Sequence, residues 1–143
     1  VEFLKYAKSK GVEVFFITNR KMRGYDATLK NLKALGFPVT TKNLFLREGN
    51  NHSKETRRQK VLKDHRIVLL MGDALGDFGP FFETKSFEKR SKLVDQYKHE
   101  FGKRFIVLPN PMYGEWLGSV YKYDYSLSND EKREIRRSKL KPY

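Results

Sequence analysis

The amino-acid sequence predicts an α/β protein in which helices cover a Rossmann-like parallel sheet. Three short runs are apolar on both faces, as strands inside a parallel sheet are: residues 12–18, 66–71 and 104–108. Stretches with helical signals separate these runs, so that helix and strand alternate along the chain. This alternation is typical of the doubly wound α/β class.

The helical stretches carry start signals, stop signals or an apolar face. Residues 2–10 end at Gly11, whereas residues 26–35 have Asp26 as a candidate cap and end at Gly36. Leucines form an apolar face on this second stretch. Three further helices are predicted at residues 53–63, 86–100 and 128–140.

The remaining segments and the thin sheet predict a chain that continues upstream. "NLFL" (43–46) is predicted to be a short extended piece, and "PNPMYGEWLG" (109–118) a loop. Three strands are few for this class, and the chain opens inside a predicted helix without an initiator Met. We therefore expect residues 1–143 to be the C-terminal portion of a single domain that lacks its first strand. Its core is expected at about 1–120 and a polar helical tail at about 126–143.

Composition excludes several classes of protein. The 143 residues suffice for one domain with a hydrophobic core. The chain contains no Cys, which excludes a disulfide framework and a thiolate metal site. No apolar stretch approaches the roughly 18 residues that a membrane span needs.

The chain is strongly basic. Lys and Arg number 30 against 17 Asp and Glu, which gives a formal charge of +13. Such a surface attracts nucleic acid, anionic lipid or phosphorylated small molecules, although it also suits a simply solvated basic face. The basic residues are spread along the chain without a nucleic-acid-binding motif, so no specific nucleic-acid partner is expected.

Polar side chains follow each predicted strand. In open parallel sheets, ligands bind at the carboxyl ends of the strands, and we expect these side chains to meet at one edge. They are Thr18, Asn19 and Arg20, then Asp73 and Asp77, then Asn110, Tyr113 and Trp116.

The strongest chemical signal is the carboxylate pair Asp73 and Asp77. Oxygen ligands without His or Cys nearby suit a hard cation, Mg²⁺ rather than Zn²⁺. Gly72 lets the backbone turn sharply before the first carboxylate. Both carboxylates could equally cap the following turn or helix.

Other candidates are weaker by themselves. The Thr18 hydroxyl could bind a phosphate oxygen, although a Thr at a strand end is commonly structural. Lys54 is predicted in the first turn of a helix, where a cation opposes the helix dipole. Tyr113 and Trp116 could stack on a planar ligand or fill the core.

Taken in order, these motifs resemble the class C acid phosphatases of the haloacid-dehalogenase (HAD) superfamily. The motifs are "FFITNR" (15–20), "SKETR" (53–57), "GDALGDF" (72–78) and "LPNPMYGEW" (108–116), and the resemblance covers about residues 1–120. It implies a HAD-like fold and a bacterial periplasmic or outer-membrane lipoprotein enzyme that also acts as a 5′-nucleotidase.

The resemblance also implies roles for the motif residues. Thr18 matches the residue that holds the transferring phosphoryl group, and Asn19 and Arg20 follow in the same substrate-binding loop. Lys54 matches the catalytic lysine that neutralises the phosphate and the nucleophile.

Two carboxylates and two aromatic residues complete the match. Asp73 corresponds to a Mg²⁺ ligand, and Asp77 to the acidic residue that supports the metal shell. Tyr113 and Trp116 lie in the segment that helps to hold the organic part of the substrate.

One motif of the family is absent from the sequence. An Asp-x-Asp pair, which supplies the nucleophile and the general acid, should precede Thr18, and we expect it before residue 1. The same upstream segment should hold a further metal ligand and any export signal. The chain alone is therefore expected to be inactive, and poorly stable because apolar strand edges stay unpaired.

The expected function is that of a Mg²⁺-dependent acid phosphatase acting through an aspartyl-phosphate. Its substrates would be small phosphomonoesters, nucleoside 5′-monophosphates among them. We expect the protein on the periplasmic side of the bacterial outer membrane or secreted, attached to a membrane only through a lipid anchor outside this chain. The formation of a homodimer is left open.

The alternative functions are a non-catalytic basic module for nucleic acid or anionic surfaces, and a HAD phosphatase for another small phosphorylated metabolite.

Overall fold

Two pairs of parallel strands form the sheets, and each pair belongs to a different unit of the chain. The computed structural model describes residues 1–112 and 114–140. In the first unit, which ends at Ile67, strand β1 (Phe16–Lys21) pairs with β2 (Leu44–Arg47). In the second unit, β3 (Leu70–Gly72) pairs with β4 (Phe105–Val107). The predicted α/β class with parallel strands is confirmed.

Six α-helices occur in the part of the chain that the structure describes. None of them is long and apolar enough to cross a membrane. The helices are α1 (Glu2–Ser9), α2 (Tyr25–Ala34), α3 (Glu55–Leu62), α4 (Phe87–Gln96), α5 (Glu115–Val120) and α6 (Asn129–Ser138).

The core of the first unit lies between its strand pair and α2. Leu44 and Leu46 of β2 are buried together with Val39. Phe16 of β1 and Leu29 of α2 pack against this cluster. The apolar face predicted for α2 therefore covers the strands, as expected for a helix in an α/β layer.

An aromatic cluster forms the core of the second unit. Phe82 is completely buried, and Phe78 and Phe105 lie next to it in the same cluster. The Phe78 and Phe105 rings stack with their centroids 5.1 Å apart. Because Phe78 ends the "GDALGDF" motif, core packing anchors the loop that carries the two candidate carboxylates.

The strands are shorter and begin later than predicted. Residues 12–18, 66–71 and 104–108 were expected to be strands, whereas the observed strands are β1, β3 and β4 as bounded above. At the first position, the Val12 amide donates to the Ala7 carbonyl oxygen (3.1 Å) and thereby helps to end α1. The Val14 carbonyl oxygen accepts from the Asn43 side-chain amide (2.8 Å), and the Phe16 amide is the one that donates to the Asn43 carbonyl oxygen (2.8 Å), where the pairing with β2 begins.

Burial on both strand faces was also predicted, and this was wrong both for β1, none of whose residues is buried, and for the second unit. Met71 of β3 and Val107 of β4 are 41% and 48% exposed. The aromatic cluster contains Phe105 and contacts Leu70, and Met71, next to Leu70, lies on the opposite face of β3. The apolar run therefore correctly indicated a parallel strand but overestimated how completely the strand is covered.

Local assignments changed at three further places. The extended piece at 43–46 is β2, the parallel partner of β1, and the second half of the predicted loop 109–118 belongs to α5. Helix α2 has Gly24 at its N-cap instead of Asp26, because a 3₁₀ helix, Met22–Gly24, leads directly into it.

Candidate active site

The candidate residues Thr18, Asn19 and Arg20 form a bulge inside β1. The ladder pairs Ile17 with Phe45 and next pairs Lys21 with Arg47, so three residues of β1 lie opposite one residue of β2. They were predicted to follow the strand, but they lie within it. A bulge bends a strand and redirects its side chains, and bulges are common beside active sites.

Hydrogen bonds hold the bulge in shape. The Thr18 hydroxyl oxygen accepts from the Arg20 backbone amide (3.3 Å). The side-chain amide of Asn19 is used at both ends: its Nδ2 donates to the His52 carbonyl oxygen (2.9 Å), and its Oδ1 accepts from Arg57 (2.7 Å). Asn19 therefore connects the bulge to the segment before α3.

Lys54 occupies the N-cap position of α3, one residue earlier than the predicted first turn. The Ser53 hydroxyl oxygen accepts from the Glu55 amide (3.1 Å) at the same turn. In addition, Arg57 donates to the Ser53 carbonyl oxygen (2.9 Å). Lys54 is partly buried. Its two sequence neighbours, Ser53 and Glu55, both take part in these hydrogen bonds at the start of α3.

In the second unit, Asp77 closes the loop that begins at Asp73. Its Oδ2 accepts from the backbone amides of Asp73 (3.1 Å) and Ala74 (3.2 Å). The carboxylate thus satisfies donors at the start of a one-turn 3₁₀ helix, Leu75–Asp77, as the capping alternative predicts. It also determines the backbone position of the neighbouring carboxylate.

Asp73 is exposed, and its Oδ2 accepts from Asn110 Nδ2 (2.8 Å). These two residues lie beyond the carboxyl ends of β3 and β4, and the Leu108 amide donates to the Gly72 carbonyl oxygen (2.8 Å) to continue the pairing. The predicted meeting of polar side chains at the strand ends is therefore observed for this pair.

The donor set in the second unit fits a partial Mg²⁺ site. Among residues 1–112 and 114–140, no three His, Cys, Asp or Glu side chains gather into a group that could hold a metal. Mg²⁺ is commonly held by one or two carboxylates, with waters and substrate phosphate completing its shell. Asp73 alone supplies one carboxylate toward that smaller requirement, because Asn110 turns its Nδ2 to Asp73 while its Oδ1 accepts from the Met112 amide (3.2 Å).

Trp116 lies in the first turn of α5, and its indole Nε1 donates to the Asn110 carbonyl oxygen (3.1 Å). The Trp116 residue remains 39% exposed. Asn110 thus binds Asp73 through its side chain and Trp116 through its backbone. Tyr113, the other aromatic candidate, lies outside the described residues.

Comparison with known proteins decides the family. A family model described as "HAD superfamily, subfamily IIIB (Acid phosphatase)" matches residues 1–116. The chain belongs to this family. The suspected resemblance is thereby confirmed.

Solved structures of class C acid phosphatases are similar to this subfamily IIIB chain over its whole length. The class C acid phosphatase from Bacillus anthracis is 43% identical, with a TM-score of 0.91. A crystal structure of the enzyme from the same organism with tungstate bound is also 43% identical, with a TM-score of 0.92. Each match covers 100% of this chain and 60% of the solved chain, so this chain spans 60% of their length.

The structure brings the predicted residues of the subfamily IIIB chain together within each unit. The bulge residues Thr18 and Asn19 join the segment at Lys54, and Asp73 joins Asp77. Sequence reasoning assigned no role to Arg57 or to the Asn110 side chain. No spacing signal indicated the Arg57 contacts, because Ser53 precedes α3 and offers its backbone carbonyl oxygen, while Thr18 and Asn19 lie in a distant strand.

Proposed function

We propose that the protein containing this chain is a Mg²⁺-dependent acid phosphatase that hydrolyses small phosphomonoesters, nucleoside 5′-monophosphates among them. The observation that carries the proposal is the Asp73–Asn110 hydrogen bond of 2.8 Å at the carboxyl ends of β3 and β4. It fixes a carboxylate where ligands of parallel α/β sheets bind. Membership of the acid phosphatase subfamily supports the same reaction.

In this proposal the first unit contributes groups that bind the phosphoryl group. The Thr18 hydroxyl would donate to a phosphoryl oxygen, and the Lys54 ammonium would offset its negative charge. Arg20 would contact the substrate from the same bulge. Phosphoryl transfer depends mainly on positioning and charge stabilisation. The hydrogen-bonded bulge would supply the positioning, and the Lys54 ammonium would supply the charge.

Asp73 would hold Mg²⁺, and Asp77 would keep the Asp73 backbone in place through its two hydrogen bonds. The ion, when bound, would neutralise charge on the phosphoryl oxygens. A carboxylate upstream of residue 1 is expected to attack phosphorus while a second one protonates the leaving alcohol. Water then hydrolyses the aspartyl-phosphate to inorganic phosphate and frees the carboxylate.

The organic part of the substrate would meet Trp116, with Tyr113 as a second stacking group. The partly exposed indole, fixed by its hydrogen bond to Asn110, supports this role. We further propose that the protein is exported, to the periplasmic side of an outer membrane or to the medium.

Metal removal tests the proposed reaction. The full-length protein should hydrolyse p-nitrophenyl phosphate and a nucleoside 5′-monophosphate at acidic pH. Excess EDTA should abolish this hydrolysis, and added Mg²⁺ should restore it, whereas the larger Ca²⁺ should restore it poorly. Activity that is indifferent to EDTA would contradict the Mg²⁺ assignment. If hydrolysis is absent and the protein instead binds nucleic acid with a steep salt dependence, the basic-module alternative is favoured.

Gly72→Ala should weaken metal binding. A Cβ at Gly72 would collide with the Asp77 carboxylate and displace it from the backbone amides that it binds. Residues that orient metal ligands typically change metal affinity by about 10–100-fold when mutated. We therefore expect the Mg²⁺ concentration for half-maximal activity to rise about tenfold.

Gly76→Ala in the same loop is the matched control. Its added Cβ would lie 3.5 Å or more from its neighbours, which is ordinary contact. The metal dependence of this variant should stay near wild type. Equal Mg²⁺ requirements for the two alanine variants would exclude the proposed role of the Asp77 carboxylate.

A further inference from the structure

The guanidinium of Arg57 joins two segments that are far apart in the sequence. Its Nη1 donates to the Thr18 carbonyl oxygen (2.5 Å), and its Nη2 donates to Asn19 Oδ1 (2.7 Å). The same Nη2 donates to the Ser53 carbonyl oxygen (2.9 Å). One side chain therefore ties the β1 bulge to the residue that precedes Lys54.

The geometry of these bonds suits Arg and not Lys. A guanidinium presents several donors in a rigid planar fork, whereas an ammonium is a compact charge on a flexible stem. Asn19 adds a second connection between the same segments through His52. The contact is therefore a small network in which each member limits the movement of the others.

The positive charge of Arg57 is buried, which is unfavourable for a cation. It is only 5% exposed. Burial lowers its pKa, and the positive charges of Arg47 and Arg58 lower it further, while Glu48 acts in the opposite direction. Apolar side chains of similar volume commonly stabilise a fold at least as well as buried charges do. A gain in stability alone is thus a poor reason for Arg at this position.

We propose that Arg57 is a positioning residue for the phosphoryl-binding groups, which rests on the proposed function. By clamping the Thr18 carbonyl and the Asn19 amide to the Ser53 carbonyl, it holds the Thr18 hydroxyl and Lys54 at a fixed separation. Both groups act on the same phosphoryl oxygens in the proposed reaction. A displacement of about 1 Å in such groups can lower a rate about 100-fold.

Arg58 provides a matched control on the same helix. It is 4% exposed, and its Nε donates to Glu55 within α3 (2.9 Å). Replacing either arginine removes a buried cation of the same size from the same helix. Both variants should lose stability, but among the described contacts it is those of Arg57 that reach the β1 bulge.

The test compares Arg57→Ala, Arg57→Lys and Arg58→Ala in the full-length protein. We expect kcat/KM for p-nitrophenyl phosphate to fall about 100-fold in both Arg57 variants and less than about threefold in Arg58→Ala. Methylguanidine in solution should restore part of the activity of Arg57→Ala. If Arg57→Ala does not fold, Arg57→Lys, which keeps the charge and stem, carries the comparison with Arg58→Ala.

A double-mutant comparison with Thr18 distinguishes a positioning role of Arg57 from a general loss of stability. In a Thr18→Ala background, the Arg57→Lys change should lower kcat/KM by less than about tenfold, since residues of one network are not additive. An undiminished effect in that background would overturn the proposal. So would equal losses in the Arg57 and Arg58 variants of the wild-type background.

Amide hydrogen exchange tests the contacts of Arg57 with Thr18, Asn19 and Ser53, which we call the clamp, separately from the proposed function. If wild type hydrolyses no phosphomonoester, the proposed function fails, and with it the catalytic role of Arg57. The clamp itself still predicts faster exchange at residues 17–20 and 52–55 in Arg57→Lys than in Arg58→Ala. Similar exchange in both variants would overturn the clamp, whatever the activity.

Discussion

Asp73→Asn in the full-length protein is expected to lower kcat by about 10²–10³-fold, the loss typical of removing one group that stabilises charge in the transition state. The substitution removes a negative charge but keeps an oxygen that can accept the Asn110 hydrogen bond of 2.8 Å. Because the side chain is exposed, the free energy of unfolding should change by less than about 0.5 kcal/mol. Steady-state kinetics with varied Mg²⁺ and urea unfolding measure the two effects.

Asp95→Asn is the control for this charge change. Asp95 is an exposed carboxylate on α4 of the same unit. The Asp95→Asn change removes the same charge at a position that is away from the strand ends, so kcat should remain near wild type. If Asp73→Asn keeps wild-type kcat and Mg²⁺ dependence, Asp73 is not a metal ligand and the proposed mechanism fails.

Phe82→Ala should cause the largest loss of stability, about 3–5 kcal/mol in the free energy of unfolding. Phe82 is completely buried, and its ring lies 5.7 Å from Tyr97 and 6.3 Å from Phe101, centroid to centroid. Truncation removes these contacts and leaves a cavity in a cluster of rigid rings. Urea unfolding of the full-length protein measures the change.

Phe87→Ala tests whether burial, and not aromatic character, produces that loss. Phe87 is 58% exposed at the start of α4. Its truncation should change the free energy of unfolding by less than about 0.5 kcal/mol. Similar losses for Phe82→Ala and Phe87→Ala would contradict the packing described for the second unit.

The end of β3 and the acidic loop could be predicted because they depend on short-range patterns. The apolar run before Gly72 indicated a strand whose end carries carboxylates, and β3 does end at Gly72. The same reasoning left open whether Asp73 and Asp77 bind metal or cap a turn. The structure shows the cap for Asp77, while the metal role of Asp73 stays a proposal.

The hydrogen-bond partners could not be predicted, because they lie far apart in the sequence. Asn110 and Asp73 are 37 residues apart, and Arg57 and Thr18 are 39 residues apart. Each contact exists only after parallel strands or a helix and a strand have packed. Periodicity carries no information about such pairs.

The sequence by itself determined the α/β class, the sites of the chemically useful side chains along the chain, and the family. Hydrophobic periodicity and the ordered motifs depend on residues that are close together in the sequence, so both can be recognised without the folded structure. Only the tertiary structure decided that Thr18, Asn19 and Arg20 form a bulge, that β2 is a strand, and that Arg57 joins the bulge to α3. These features depend on hydrogen bonds between segments that are distant in the sequence, and such segments meet only when the whole unit packs.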